Sequence, residues 1–370
     1  MNELPAIAGV VPDEMALPRN RAELTEVVRG LNAGGKTFAF LGGRTELELG
    51  NAPRALDAAI DMTALDRILD YSPEDQTITV EAGVRLATLD ALLAEHGQWL
   101  PIDAGDRARV TVGGAIATNA FGARRHRYGS IKDLIVGIEI VRPDGVTARG
   151  GGKVVKNVAG FDLPKLMVGS LGTLAGIATA TLRVFPQPPV MRTVLAQLAP
   201  ADPRFDAIVR DAALEPLSVV HYPALGGIAF TFGGSAAAVD AQVERIATHA
   251  PVEVLDAAAA ERCASFETAV RSAGEWRWTA RRAVPPVALA LEVDYPTLRV
   301  SLGSADDGAP LDAFIAARGS AVVFNAMPAR ARGRVDAWGV PPPSFGLMQA
   351  LKAQFDPKGL CNPGRYVGGL

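Results

Sequence analysis

The sequence of 370 residues predicts an α+β protein with two domains, and three observations support that prediction. The chain is long enough for two hydrophobic cores. Its first half alternates short helical and strand patterns, whereas the periodicity of its second half is weaker. Between them lies FPQPP at residues 185–189, which predicts a domain boundary because proline interrupts helices and strands.

Hydrophobic spacing predicts the elements of the first half. Apolar residues recur at helical intervals over 21–32, and Gly34-Gly35 ends the predicted helix. Alternating or continuous apolar runs predict strands, and a leucine repeat predicts another helix. These strands are 37–41, 76–82, 134–141, 146–149 and 173–184, and the second helix is 86–96.

The second half predicts a smaller α+β domain. Its predicted strands lie near 218–232, 286–302 and 320–327, and its helices at 237–249 and 311–318. A further helix over 344–355 precedes a tail rich in turn-forming residues, DPKGLCNPGRYVGGL.

Composition excludes several classes of protein. A net charge of −3 and an isoelectric point near 5.9 argue against nucleic acid as the main partner. The sequence contains no window of about 18 apolar residues, so we expect no transmembrane helix. The N-terminus, MNELPAIAGVVPDEM, lacks the basic region of a signal peptide, so we expect a cytoplasmic protein.

The cysteines and histidines predict no metal site. The two cysteines, Cys263 and Cys361, are too few for an iron–sulfur cluster of the chain's own. The four histidines show no HxH or HxxxH spacing.

Three glycine-rich segments are candidates for binding. The first, LGGRTEL at 41–47, follows a predicted strand, so its N–H groups could form a nest for phosphate, or a plain tight turn. It is neither a Walker loop nor a GxGxxG fingerprint.

The second segment, TVGGAIATNAFG at 111–122, has three glycines and no charge. It is too apolar for an ordinary surface loop and too rich in glycine for an ordinary buried helix. Its small residues permit either the close approach of a ligand, with Thr118 and Asn119 as hydrogen-bonding groups, or close helix–sheet packing. The third segment, GSLGTLAGI at 169–177, is by itself weak evidence for a binding site. The order of the three segments along the chain strengthens that evidence.

In that order, the segments resemble the vanillyl-alcohol-oxidase-type flavoproteins. The likeness runs through most of residues 20–190 and returns at 355–365. The motifs that carry it are FLGGRTEL (40–47), ITVEAGVRLATLDALLAEHG (78–97), TVGGAIATNAFGARRHRYGSIKD (111–133), VVKNVAGFDLPKLMVGSLGTLAGIAT (154–179) and FDPKGLCNPGR (355–365).

The resemblance implies a two-part PCMH-type FAD-binding domain over 1–188, with its subdomains split near 60–70. It further implies a smaller α+β cap or substrate domain over 189–340 and a segment, 341–370, that returns to the FAD domain. The implied FAD-binding residues are Gly42, Gly43, Arg44, Thr45, Glu46, Leu47, Val112, Gly113, Gly114, Thr118, Asn119, Gly122, Gly129, Gly176 and Ile177.

The resemblance also indicates how FAD is held. Members of the family with covalent flavin often carry a histidine in or near the first glycine segment, where this chain has Arg44. We therefore expect non-covalent FAD, with Arg44 either beside a phosphate or in solvent.

Four other features have open alternatives. The basic run Arg124–Arg127 suits a carboxylate substrate, the FAD phosphates, a solvated loop or a partner subunit. Lys156 and Asn157 are candidates for the flavin's surroundings, Asp162 is a candidate helix cap, and the EWRW segment with Trp276 and Trp278 suits a core more than a substrate wall.

The resemblance implies a subunit of a glycolate (2-hydroxyacid) oxidase complex that also holds a larger flavoprotein subunit and an iron–sulfur subunit. Related dehydrogenases carry a histidine-rich metal site in the second domain, where this chain has only His221 and His249. No residue is therefore assigned a catalytic role. A self-sufficient FAD-dependent dehydrogenase of another hydroxyacid or alcohol, and an assembly subunit with structural FAD, stay open.

Overall fold

The computed structural model describes residues 4–152, 161–222, 225–263, 276–280, 291–295, 300–305, 322–327 and 329–370. The chain divides into two compact units. The first comprises 1–120, 130–186 and 325–370, and the second comprises 121–129 and 187–324. The second unit thus takes residues 121–129 and 187–188, which the sequence analysis assigned to the first domain.

The first unit contains two main sheets. Its helices and strands are β1 (Glu14–Ala16), α1 (Arg21–Ala33), β2 (Phe38–Leu41), β3 (Ala58–Asp61), β4 (Ile68–Ser72), β5 (Thr77–Glu81), α2 (Leu86–Ala94), β6 (Gln98–Trp99), α3 (Val112–Thr118), α5 (Ile131–Leu134), β7 (Ile135–Val141), β8 (Thr147–Gly151), α6 (Leu163–Met167), β9 (Gly176–Arg183), β10 (Phe185–Pro186) and α9 (Phe345–Phe355). One sheet is parallel, in the order β1-β3-β2, and the other is antiparallel, in the order β4-β5-β9-β7-β8.

The second unit is built on one sheet, whose strands from residue 190 to residue 305 pair antiparallel. Its elements are α4 (Arg125–Tyr128), β11 (Val190–Ala196), α7 (Pro203–Arg210), β12 (Ser218–Tyr222), β13 (Gly227–Gly234), α8 (Ala236–His249), β14 (Val252–Val254), β15 (Trp276–Ala280), β16 (Leu291–Tyr295), β17 (Val300–Ala305) and β18 (Val322–Ala326). The strand order is β14-β11-β13-β12-β16-β17-β15-β18.

Local sequence explains where the helices begin and end. The Asn20 side chain accepts a hydrogen bond from the N–H of Glu23 at 3.0 Å and caps α1, which ends at Gly34. Leu24 and Val28 on its inner face are fully buried against the parallel sheet. Helix α8 is capped in the same way by Ser235.

For the segment at 111–122 the sequence analysis left two alternatives open, the approach of a ligand and close helix–sheet packing, although it noted more glycine than an ordinary buried helix has. In the structure Val112–Thr118 is the helix α3. Thr111 caps its start, Asn119 ends it in a left-handed conformation with φ of 51°, and packing compensates for the low helix propensity of glycine. The helix predicted over 311–318 lies outside the described residues.

Candidate functional site

The loop at residues 42–45 presents backbone N–H groups for which the described residues supply no backbone acceptor. The loop leaves β2 half-buried, and Arg44 has a left-handed φ of 58°. Within the described ranges, none of these four N–H groups donates to a backbone acceptor. Because half-buried N–H groups are costly to leave unpaired, the loop is suited to an anion with several oxygen acceptors.

The first two glycines of this loop are required by packing inside the protein. A Cβ on Gly42 would overlap the hydroxyl of Thr111, and a Cβ on Gly43 would overlap the carbonyl oxygen of Arg109. The loop therefore lies directly against the segment that leads into α3, and the first and second glycine segments meet.

Gly113 and Gly114 of α3 differ in what surrounds them. A Cβ on Gly113 would lie 2.7 Å from Cβ of Ala82, so this glycine permits α3 to pack on the end of β5. A Cβ on Gly114 would meet a single described atom, Oγ1 of Thr111, at 3.0 Å. Helix packing thus accounts for Gly113, while the described residues leave the space beside Gly114 open.

The third glycine segment contacts the end of α3. The N–H groups of Gly169 and Leu171 donate to the carbonyls of Ile116 and Ala117, each at 2.9 Å. Two buried polar atoms in this region, Oδ1 of Asn119 and Oγ of Ser170, lack a partner among the described residues. The Thr118 hydroxyl donates to the carbonyl of Gly114 at 2.8 Å. Sequence analysis named Asn119 and Thr118 as binding residues but did not single out Ser170.

The remaining candidates of the first unit lie in or beside its core. Val112 and Ile177 are buried, and a Cβ on Gly176 would overlap the ring of Phe40 on β2. The carbonyl of Leu47 accepts a hydrogen bond from Ala8 at 3.2 Å. Thr45 and Glu46 are half-buried in the loop.

Arg44 is held by an ion pair. Its Nη2 lies 2.5 Å from Oδ2 of Asp61, whose side chain is 8% exposed. The other oxygen of Asp61 accepts hydrogen bonds from the N–H and the hydroxyl of Thr63. Asp61 ends β3, a strand that the hydrophobic pattern did not predict.

The C-terminal segment supports the same loop. Arg365 donates to the carbonyls of Asn51 at 2.8 Å and Leu47 at 3.1 Å. Burial lowers the pKa of Arg365 to about 10. Asn362 and Cys361 donate to the carbonyls of Leu171 and Gly172, so the tail also holds the third glycine segment.

Two predicted binding residues, Gly122 and Gly129, belong to the second unit. Gly129 ends α4 with φ of 76°. In that helix, Arg127 forms an ion pair with Glu215 at 3.0 Å, and the Arg125 guanidinium lies 5.2 Å from the centre of the Phe121 ring. Two arginines of the basic run are thus engaged within the second unit.

The other sequence candidates have separate positions. Asp162 caps α6 by accepting from the N–H of Lys165 at 3.2 Å. Trp276 and Trp278 lie on β15. Lys156 and Asn157 lie outside the described residues.

The described ranges hold no group of three or more His, Cys, Asp or Glu residues that could bind a metal ion. They also hold no helix with the length and hydrophobicity that crossing a membrane requires.

The residues of the first unit fit a long, anionic cofactor such as FAD. The unused N–H groups at 42–45 suit a diphosphate, the space beside Gly114 admits a ligand, and the buried oxygens of Asn119 and Ser170 can hydrogen-bond to it. All three features lie on segments that contact one another.

Comparisons with known proteins agree with this fit. Residues 12–151 match the sequence model of a family described as FAD binding domain. The fold resembles that of alkyldihydroxyacetonephosphate synthase, with a TM-score of 0.68 at 18% identity over 94% of this chain and 75% of that one. The predicted fold class is therefore confirmed, and the family match supports FAD as the cofactor.

Curated relatives share sequence with part of the chain. A D-2-hydroxyglutarate dehydrogenase of Xanthomonas citri is 35% identical over 54% of this chain and 41% of that protein. Glycolate oxidase subunit GlcD of Bacillus subtilis is 34% identical over 50% of this chain and 40% of that subunit. Subunit GlcE of Escherichia coli is 39% identical over 35% of this chain and 37% of that subunit. The chain thus covers well under half of each relative.

Proposed function

We propose that the chain is the FAD-binding subunit of a complex that oxidises glycolate, or a closely related 2-hydroxyacid, to the corresponding 2-oxoacid. Electrons pass through its flavin to an iron–sulfur partner subunit. The observation that carries the proposal is the row of four N–H groups at 42–45 that have no backbone acceptor among the described residues, beside the face of Gly114 that those residues leave open. The named relatives, which include glycolate oxidase subunits, indicate the class of substrate.

Different segments of the chain hold different parts of the cofactor. The loop at 42–47 holds the diphosphate through its backbone, and residues 112–119 line the path from the diphosphate to the flavin. Gly113 and Gly176 contribute by letting elements pack closely, whereas Gly114 leaves room for the ligand. Gly122 and Gly129, with Tyr128, shape the turn after α3. Binding is non-covalent, since Arg44 stands where related chains with covalent flavin often have histidine.

FAD, when bound, accepts the two electrons released as the C–OH group of a hydroxyacid becomes a carbonyl group. The protein's contribution is to hold the cofactor, to satisfy its polar atoms through Asn119 and Ser170, and to keep the loop at 42–45 rigid. We assign no base and no carboxylate-binding residue within this chain.

The relatives also support a role in a complex. Two of them are named as subunits of glycolate oxidase, and a larger flavoprotein subunit and an iron–sulfur subunit are the partners we propose. The two cysteines of the chain are both buried, in keeping with a cluster held by another subunit. We place the protein in the cytoplasm, peripheral to the inner membrane through its partners.

The test compares the isolated chain with the assembled complex. Each is loaded with FAD, and its visible absorption is recorded without oxygen before and after glycolate is added, with D-lactate and D-2-hydroxyglutarate in parallel. The proposal expects the isolated chain to stay yellow and the complex to bleach.

Other outcomes favour other functions. Bleaching of the isolated chain would make it a self-sufficient dehydrogenase. A flavin that stays oxidised in a complex that still turns over hydroxyacid would make its FAD structural. A chain that retains no FAD after loading would contradict the proposal as a whole.

A further inference from the structure

Arg109 lies beside the loop at 42–45. It follows β6 in a turn fixed by Asp106, whose carbonyl accepts from the N–H of Arg109 at 3.0 Å and from that of Val110 at 2.8 Å. The main chain of Arg109 is pressed against Gly43, because a Cβ on that glycine would overlap its carbonyl oxygen. The backbone position of Arg109 beside the loop is therefore fixed.

The Arg109 side chain is exposed and reaches the loop. Its Nη2 lies 3.4 Å from the carbonyl oxygen of Arg44, a long hydrogen bond. Among the described residues, the carbonyl oxygen of Arg44 is the one acceptor that the Arg109 guanidinium contacts. A guanidinium has five N–H donors, so most of its capacity is available to a ligand at the loop.

Arg44 is the cation that the sequence analysis identified at this site, and its charge is neutralised by Asp61. Its guanidinium is paired with the nearly buried carboxylate of Asp61 at 2.5 Å and also contacts the sulfur of Met15 at 3.4 Å. Turning it toward a phosphate would leave the Asp61 carboxylate without that partner, which is costly at a buried position. Arg44 thus shapes the loop, and its charge is used within the protein.

We propose that Arg109 is a further cofactor-binding residue, which supplies the positive charge for the diphosphate held by the loop at 42–45. The argument rests on the proposed binding of FAD. Backbone N–H groups bind phosphate oxygens without neutralising their charge, and a guanidinium at the rim supplies both charge and directed N–H donors. The ligand feature recognised is the diphosphate, so the flavin ring plays no part in this contact.

The experiment measures FAD affinity of the apo-protein, prepared from the full chain, by titration calorimetry at 20 mM and 500 mM salt. Four proteins are compared: wild type, R109Q, R109K and R19Q. R19Q makes the same charge change at an exposed arginine before α1. We expect R109Q to raise the Kd for FAD at least tenfold at low salt and less at high salt, because salt screens the interaction. R109K should recover part of the loss, and R19Q should bind as wild type does.

Three results would overturn the inference: R109Q binding FAD within twofold of wild type at low salt, R109K losing as much affinity as R109Q, or R19Q losing as much. The unfolding temperature of each apo-protein shows that the variants are folded. If wild type retains no FAD, the proposed function itself is wrong. If wild type binds FAD and R109Q equals it, the inference alone fails.

Discussion

At the scale of single residues, Gly113 and Gly114 are adjacent in α3 and lack side chains for different reasons. Gly113 is pressed against Ala82 and lets the helix approach β5, whereas among the described residues only the Thr111 hydroxyl lies beside Gly114. A side chain at the first position disturbs the fold, and one at the second occupies the space we assign to the cofactor.

We predict that Gly114→Val abolishes retention of FAD while the apo-protein stays folded. The added methyl groups enter ligand space, and the only described contact of the new Cβ is with the end of one hydroxyl. Gly113→Val is the matched variant, and it should lower the unfolding temperature of the apo-protein as well. Flavin content after gel filtration and thermal unfolding of the apo-proteins provide the two readouts. Purified Gly114→Val with a full complement of flavin would refute the assignment.

At the scale of elements, the loop after β2 keeps its shape through contacts from three directions. Asp61 at the end of β3 holds the Arg44 side chain, Arg365 from the tail binds the carbonyls of Leu47 and Asn51, and the main chain of Arg109 covers Gly43. A left-handed arginine is disfavoured by itself, so this conformation depends on its surroundings.

Asp61→Asn tests this dependence. Asparagine keeps the acceptor for Thr63 and removes the charge that pairs with Arg44. We expect the free energy of unfolding to fall by about 1 to 3 kcal/mol and FAD to dissociate faster, because the loop loses its fixed shape. Urea unfolding of the apo-protein and stopped-flow release of FAD measure the two effects. Release at the wild-type rate would show that the ion pair does not position the loop.

The helix α9 is anchored by a partly buried lysine, Lys352. Nζ of Lys352 lies 2.6 Å from a carboxylate oxygen of Asp356, and it also donates to the carbonyls of Thr173 and Cys361. The Asp356 side chain is fully buried and accepts the N–H groups of Leu360 and Cys361. This cluster joins the tail to the third glycine segment.

We predict that Lys352→Met lowers the free energy of unfolding of the first unit by about 3 to 5 kcal/mol, because it leaves a buried carboxylate without its cation. Lys358→Met, at an exposed lysine, is the control and should have little effect. Burial raises the pKa of the Cys361 thiol, so alkylation of this cysteine in urea reports the opening of the tail. Equal labelling curves for the two variants would contradict the prediction.

Sequence patterns predicted the long periodic elements and missed those whose signal depends on the fold. Helix α1 and the strand at 77–81 follow from clear periodicity. Strand β3 is buried along its whole length and therefore shows no alternation. Helix α3 stayed one of two alternatives because glycine argues against a helix, although its caps, Thr111 and Asn119, were readable in the sequence.

The binding segments were predictable because glycine runs are local, whereas their supports were not. Asp61 lies 17 residues from Arg44, and Arg365 lies 318 residues from Leu47. Arg109 stands in a stretch without a motif, and its relation to Gly43 depends on how the chain folds back. Such contacts depend on the tertiary structure and cannot be predicted from the spacing of residues along the sequence.

At the scale of the whole molecule, two histidines of the second unit respond to pH. Burial lowers the pKa of His126, with a smaller effect from Arg127, and burial also lowers the pKa of His221. Both regain a pKa of about 6.5 when the chain unfolds. Below that pH the unfolded chain binds protons that the folded unit does not, so stability falls as pH falls.

We expect the urea midpoint of the second unit to drop between pH 7.5 and pH 5.5. His221→Gln should remove about half of that pH dependence, provided the two histidines titrate independently. His96→Gln, in the first unit, is the control. A midpoint that is constant or rises as pH falls would contradict the account.

The central claim is that the first unit binds FAD non-covalently through the loop at 42–45 and the open face of α3. The most direct measurement is the visible absorption of the purified chain after saturation with FAD and gel filtration, followed by acid precipitation. The account predicts one FAD per chain, all of it released into the supernatant. A protein that emerges colourless from gel filtration, or a flavin that stays with the precipitate, would contradict it.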